Sequence, residues 1–119
     1  MKGKEKQYYI DMQEKDRLVP FVVNGKTKGF VTYFIGNGNI DKYTKRDMFT
    51  VVDDEPITGN TLYVDHLITD KEKINCEYIR ICFRSFVDYI KSKYPTVIKM
   101  RWNRVKGDRI HVYHTSIRR

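Results

Sequence analysis

The chain has 119 residues, 40% of them apolar and 13% aromatic, and its 23 Lys and Arg against 15 Asp and Glu give a formal net charge of +8. That apolar content can fill one core and excludes a disordered chain, while the length is too short for two independent cores. No apolar run approaches the roughly 18–20 residues of a membrane-spanning helix, and the start, MKGKEKQYYIDMQEKDR, lacks the hydrophobic stretch of a secretory signal. One domain over residues 1–119, in a reducing, cytoplasmic compartment, is the expectation.

Residues 1–17 are dense in charge around a short apolar island, Tyr8-Tyr9-Ile10, and residues 1–6 are expected to fray. Leu18 to Val23 is apolar and β-branched. Asn24-Gly25 then signals a two-residue hairpin turn, because both residues accept positive φ. Residues 29–35 form a second strand with Phe30, Thr32 and Phe34 on one face and Val31, Tyr33 and Ile35 on the other. Both faces are bulky, as in an inner strand covered on both sides. GNGN is a turn, MFTVV at 48–52 is a candidate short strand, and Asp53-Asp54-Glu55-Pro56 is loop chemistry. TLYVDHLIT at 61–69 is a strand. Simple alternation there puts Asp65 and His66 on opposite faces, so the two cannot form one dyad.

Asp70 is a candidate N-cap with Lys73 at N3. Ile79, Cys82, Phe83, Phe86, Val87 and Ile90 follow at helical spacing, opposed by Glu77, Arg80, Arg84, Asp88 and Lys91, and Pro95 ends the helix. Cys76 and Cys82 lie six apart on that helix, on nearly opposite sides, which excludes a disulfide between them. Residues 97–105 alternate, with Ile98, Met100 and Trp102 opposed to Lys99, Arg101 and Asn103. Lys106-Gly107-Asp108 turns, and residues 109–117 alternate again, with Ile110 and Val112 opposed to His111 and Tyr113. The expected element is a β-hairpin with one apolar and one cationic face. Residues 99–119 hold seven basic side chains and one acid, so most of the net charge lies here. The fold class is α+β (mixed α/β), with a central, mostly antiparallel twisted sheet and one long amphipathic helix.

In this order and spacing, FVVNGKTKGFVTYFI, LYVDHLITD, the amphipathic helix and VIKMRW resemble the GNAT superfamily of N-acetyltransferases. They correspond to that family's second and third strands, fourth strand, CoA-binding helix and fifth strand, and cover about half the chain. The resemblance implies acyl transfer to an amine, with acetyl-CoA or another acyl donor and no metal. It also implies that the backbone around Leu67, Ile68 and Thr69 holds the donor's pantetheine arm, with Asn75 and Cys76 as further donor-binding residues; the donor slot exists if the fourth and fifth strands splay apart beside the helix N-terminus, and does not if they pair fully. One departure stands out. At the positions of the family's glycine-bearing phosphate motif this chain has Ile74, Glu77 and Ile79, and a carboxylate at a helix-end anion site repels phosphate. An acidic acyl carrier protein is a donor that fits the substitution and the basic hairpin.

For the chemistry, Asp65 or His66 is the candidate base toward the amine, His66 by its reference pKa. Tyr113 is the candidate acid toward the departing thiolate, as the resemblance implies. Hydrogen-bonded packing is the alternative role for all three. Cys76, near a helix N-terminus, lacks a His partner and is not expected to be a nucleophile. His66, His111 and His114 show no metal-ligand spacing. Arg101, Arg104, Lys106, Arg109 and His111, interleaved with Trp102 and Tyr113, suit phosphate contacts and base stacking. The alternative function is therefore a GNAT-shaped module without catalysis that binds nucleic acid or an acidic protein through this hairpin.

Overall fold

The computed structural model describes residues 3–37, 48–69, 76–106 and 109–118, with backbone only for residues 76, 104–106, 109 and 110. Among the described residues seven elements follow in chain order: α1 (Gly3–Glu14), β1 (Leu18–Val23), β2 (Lys26–Gly36), β3 (Thr61–Thr69), α2 (Cys76–Lys93), β4 (Lys99–Lys106) and β5 (Arg109–Ser116). The strands make one mixed sheet in the order β1-β2-β3-β4-β5. Every neighbouring pair is antiparallel except β3 and β4, which run parallel. Among the described residues, no helix is long and apolar enough to cross a membrane.

Local chemistry accounts for most of these elements. Asn24 and Gly25 both take positive φ, 51° and 78°, and close the β1–β2 hairpin. Pro20 is tolerated because β1 is an edge strand. Gly29 pairs with Thr69 where the strands approach most closely, and a Cβ built there would lie 2.3 Å from the carbonyl oxygen of Ile68. Gly29→Ala should therefore destabilise the protein by about 1–3 kcal/mol, as overpacking against backbone does. Urea denaturation measures the loss, and an unchanged midpoint would contradict the contact.

The sheet is covered on both faces. On one, Phe86 and Ile90 of α2 meet Phe21, Val31, Tyr33, Ile35, Leu62, Val64 and Met100, with Cys82, Phe83 and Trp102 partly buried against them. On the other, Tyr8 and Met12 of α1 meet Phe34 and Tyr63. The helical stripe read from the sequence is the buried face of α2, and β2 is the expected inner strand.

Two expectations are corrected, and one element is added. The N-terminal segment forms α1. Its only fully buried side chains, Tyr8 and Met12, sit four apart in an otherwise polar run, so the periodic signal is faint. Residues 48–52 form no strand. Phe49, Val51 and Val52 instead pack as irregular chain against the α1-side core. The β4–β5 register also departs from the expected faces. Trp102 stands opposite Tyr113 and Met100 opposite Thr115, while Arg101 stands opposite His114 and Asn103 opposite Val112. Directly opposed residues share a face. Val112 thus lies on the side of Arg101, and the apolar and cationic residues are mixed across the two faces.

Candidate functional site

The parallel ladder between β3 and β4 is short. It runs from Thr61↔Lys99 to Val64↔Trp102 and stops, although both strands continue, β3 to Thr69 and β4 to Lys106. Beyond Val64 and Trp102, no pairing joins the two strands among the described residues. A cavity of about 500 Å³ opens where they part, lined by Val64, Asp65 and Leu67 of β3, Met100, Trp102 and Asn103 of β4, and Phe83 of α2.

The β2–β3 register slips at the same point. Thr32 pairs with His66 and Tyr33 with Val64, so Asp65 is one extra residue of β3 in the register. Such a bulge suspends strand alternation and re-aims side chains. Asp65 and His66 therefore do not project to opposite faces: His66 Nε2 lies 3.7 Å from Asp65 Oδ2, with both side chains nearly buried. The expectation that they cannot meet is corrected by this single inserted residue.

Their surroundings assign different roles. Tyr8 donates its hydroxyl proton to Asp65 Oδ2 in a short hydrogen bond. The Tyr8 hydroxyl also lies 2.9 Å from Thr32 Oγ1. A phenol has one proton, so Thr32 donates in that second contact. Thr32 Oγ1 in turn accepts from the backbone N–H of His66 at 3.0 Å. The chain of donors runs from the His66 backbone through Thr32 and Tyr8 and ends on the Asp65 carboxylate. His66 Nε2 lies 2.8 Å from the carbonyl oxygen of Met48, and because a carbonyl only accepts, that nitrogen carries the proton. Phe49 stacks on the imidazole, with centroids 5.3 Å apart and planes within 8°. The His66 ring is thus occupied with packing and a backbone contact, whereas Asp65 lines the cavity. Beside them, burial, Glu5 and Asp65 push the Tyr9 hydroxyl up to about 12, so it stays neutral at ordinary pH.

The other predicted residues are distributed around this point. Leu67 lines the cavity and is 44% exposed; Ile68 and Thr69 continue β3 past the end of the β4 ladder. Tyr113 stacks on Trp102, with centroids 5.5 Å apart and planes within 12°. Asn75 and the proposed cap Asp70 lie outside the described residues, as do the side chains of Cys76, Arg104, Lys106 and Arg109. In the ladder Arg104 stands opposite the exposed His111, on alternate positions from Arg101. Lys106 stands opposite Arg109 in the same set of positions as Trp102↔Tyr113 and Arg104↔His111. The Nε of Arg101 and Oδ1 of Asn103 are buried without a hydrogen-bond partner among the described residues. Cys82 is a free thiol, half-buried against the α2-side core.

Sequence reasoning missed a second polar cluster. Arg17 binds Asp54 through two hydrogen bonds, Nε to Oδ2 at 2.6 Å and Nη2 to Oδ1 at 3.1 Å. It also donates to Tyr94 Oη at 3.0 Å, and the Tyr33 and Tyr94 hydroxyls lie 2.9 Å apart. Burial opposes the guanidinium charge, but Asp54 outweighs it and raises the Arg17 pKa. Burial, with the hydrogen bond to Tyr94, raises the Tyr33 hydroxyl well above its ordinary value. This cluster pins the loop around Asp54 to β2, where Ile35 N–H also donates to Asp54 Oδ2 at 3.0 Å. Comparison with protein-family models and with curated proteins finds no match for the chain.

Proposed function

We propose that the chain is a GNAT-like acyltransferase that moves an acyl group from a thioester donor to an amine in the cleft between β3 and β4. The observation that carries this reading is the arrest of the parallel ladder at Val64↔Trp102, with Asp65 bulged at the same point and lining the cavity. The reaction balances as follows. The amine nitrogen attacks the thioester carbonyl, a C–N bond forms, the C–S bond breaks, and the nitrogen gives up a proton to Asp65. The departing thiolate takes up a proton, for which Tyr113, stacked against the cavity residue Trp102, is the candidate donor. Asp65 is the better base of the two predicted residues, since His66 Nε2 already donates to Met48. Glu77, exposed in the first turn of α2, disfavours a pyrophosphate there. Recognition of the donor therefore centres on its thioester end.

The test is thiol release from acetyl- to octanoyl-CoA, with and without a simple aliphatic amine, an aromatic amine or a lysine-containing peptide. Acyl donors should raise the melting temperature by several degrees, as saturating ligands do, and amine should accelerate thiol release. No melting shift at millimolar donor together with no amine-dependent release would overturn the reading.

A further inference from the structure

We infer that the acyl group accepted in the β3–β4 cavity is a chain of about six to eight carbons and not acetyl; this rests on the acyl-transfer reading above. Among the described residues that line it, five of seven are apolar, Val64, Leu67, Phe83, Met100 and Trp102, and they come from three different elements. Val64 and Met100, both buried, belong to the α2-side core, and Phe83 and Trp102 pack against it. Leu67 is 44% exposed. The cavity therefore runs from an open edge into the apolar layer beneath α2. An acetyl group has three non-hydrogen atoms. At roughly 30 Å³ per atom, the share of a molecule in liquid water, it fills about a fifth of the 500 Å³ present. A six- to eight-carbon acyl group, at the same volume per atom, fills about two-fifths to a half, displaces water that acetyl would leave against apolar walls, and leaves room for the start of the thioester's arm and the amine. Each methylene taken out of water is worth up to roughly a fourfold gain in affinity.

The two polar groups of the lining are consistent with the same ligand. Asp65 lies at the bulge where the reacting amine is needed. Asn103 Oδ1 is buried without a partner among the described residues, and a buried acceptor calls for an N–H. A thioester on a pantetheine-like arm carries amide N–H groups; the chain beyond its carbonyl carries none and meets the apolar lining.

The chain's one tryptophan, Trp102, lines the cavity and reports its occupancy by fluorescence. The probes are acetyl, butyryl, hexanoyl and octanoyl thioesters of N-acetylcysteamine, which present the thioester end without any phosphate, titrated into the full chain. The hexanoyl or octanoyl thioester should bind at least tenfold more tightly than acetyl. Leu67→Ser should lower hexanoyl affinity several-fold and acetyl affinity much less, so that the ratio between the two falls. Phe83→Ala, which enlarges the cavity, should move the preference to a longer chain, and either variant alone decides should the other fail to fold. Equal affinity along the series, with amine-dependent thiol release intact, would overturn the chain-length inference and leave acyl transfer standing. Affinity that follows the length of the amine instead of the acyl chain would overturn it likewise. Absence of both binding and thiol release for every thioester would remove the acyl-transfer reading itself.

Discussion

Asp54→Ala is expected to cost about 3–5 kcal/mol of folding stability, the range for removing one partner of a buried ion pair. The Asp54 side chain is 2% exposed and that of Arg17 8%. Without Asp54, the guanidinium stays buried beside the rings of Tyr33 and Tyr94, each 5.6 Å away, with no carboxylate to neutralise it. The backbone N–H of Ile35 loses its acceptor as well. For a chain of this length the melting temperature should fall by roughly ten degrees or more. Urea denaturation followed by circular dichroism gives the value directly, and a loss below about 1 kcal/mol would show that the pair is not desolvated as described. Replacing both partners by apolar residues, Arg17→Met with Asp54→Leu, should recover part of the loss, because no unpaired charge is then left inside.

The second large effect is on the proposed acyl transfer. Asp65→Asn should lower amine-dependent thiol release by about 10²–10⁴-fold, the usual contribution of a positioned base, while the melting temperature stays within a few degrees. Asn keeps the shape of the side chain and an oxygen to accept from Tyr8, so the fold has little reason to change. Tyr8→Phe removes only the hydroxyl that holds the carboxylate. It should reduce kcat by about tenfold, the effect of one hydrogen bond to a charged group, with the donor's KM unchanged. If Asp65→Asn retained more than half of the wild-type rate, the base would have to be sought elsewhere. His66→Gln, which keeps a donor toward the Met48 carbonyl, should cost much less than Asp65→Asn.

Much of the scaffold was legible because its signals are local. Asn24-Gly25 marked the first hairpin, and β3 occupies the span read from TLYVDHLIT. The stripe from Ile79 to Ile90 marked α2, which ends before Pro95. The geometry of the candidate site was less legible. The bulge at Asp65 depends on how β3 meets β2, and alternation within one strand cannot reveal a slip against its neighbour. Tyr8 reaches Asp65 across 57 positions and Arg17 reaches Asp54 across 37, so neither pairing leaves a trace in local spacing. Asp54 looked like loop chemistry because its carboxylate sits in a run of acids, Asp53-Asp54-Glu55. Helix α1 was hidden for a related reason: only Tyr8 and Met12 anchor it.

The β3–β4 seam also governs how the molecule comes together. Every other strand pairing joins neighbours across an antiparallel ladder, so β1–β2–β3 and β4–β5 are two units, and among the described residues the sheet stitches them only from Thr61↔Lys99 to Val64↔Trp102. Thr61 and Lys99 lie 38 positions apart, with the whole of α2 between them. Closing so long a span costs chain entropy before the contact repays it, so mutations at this seam are expected to change the unfolding rate more than the folding rate. A ligand seated between the two strands binds the closed seam and is expected to slow its opening.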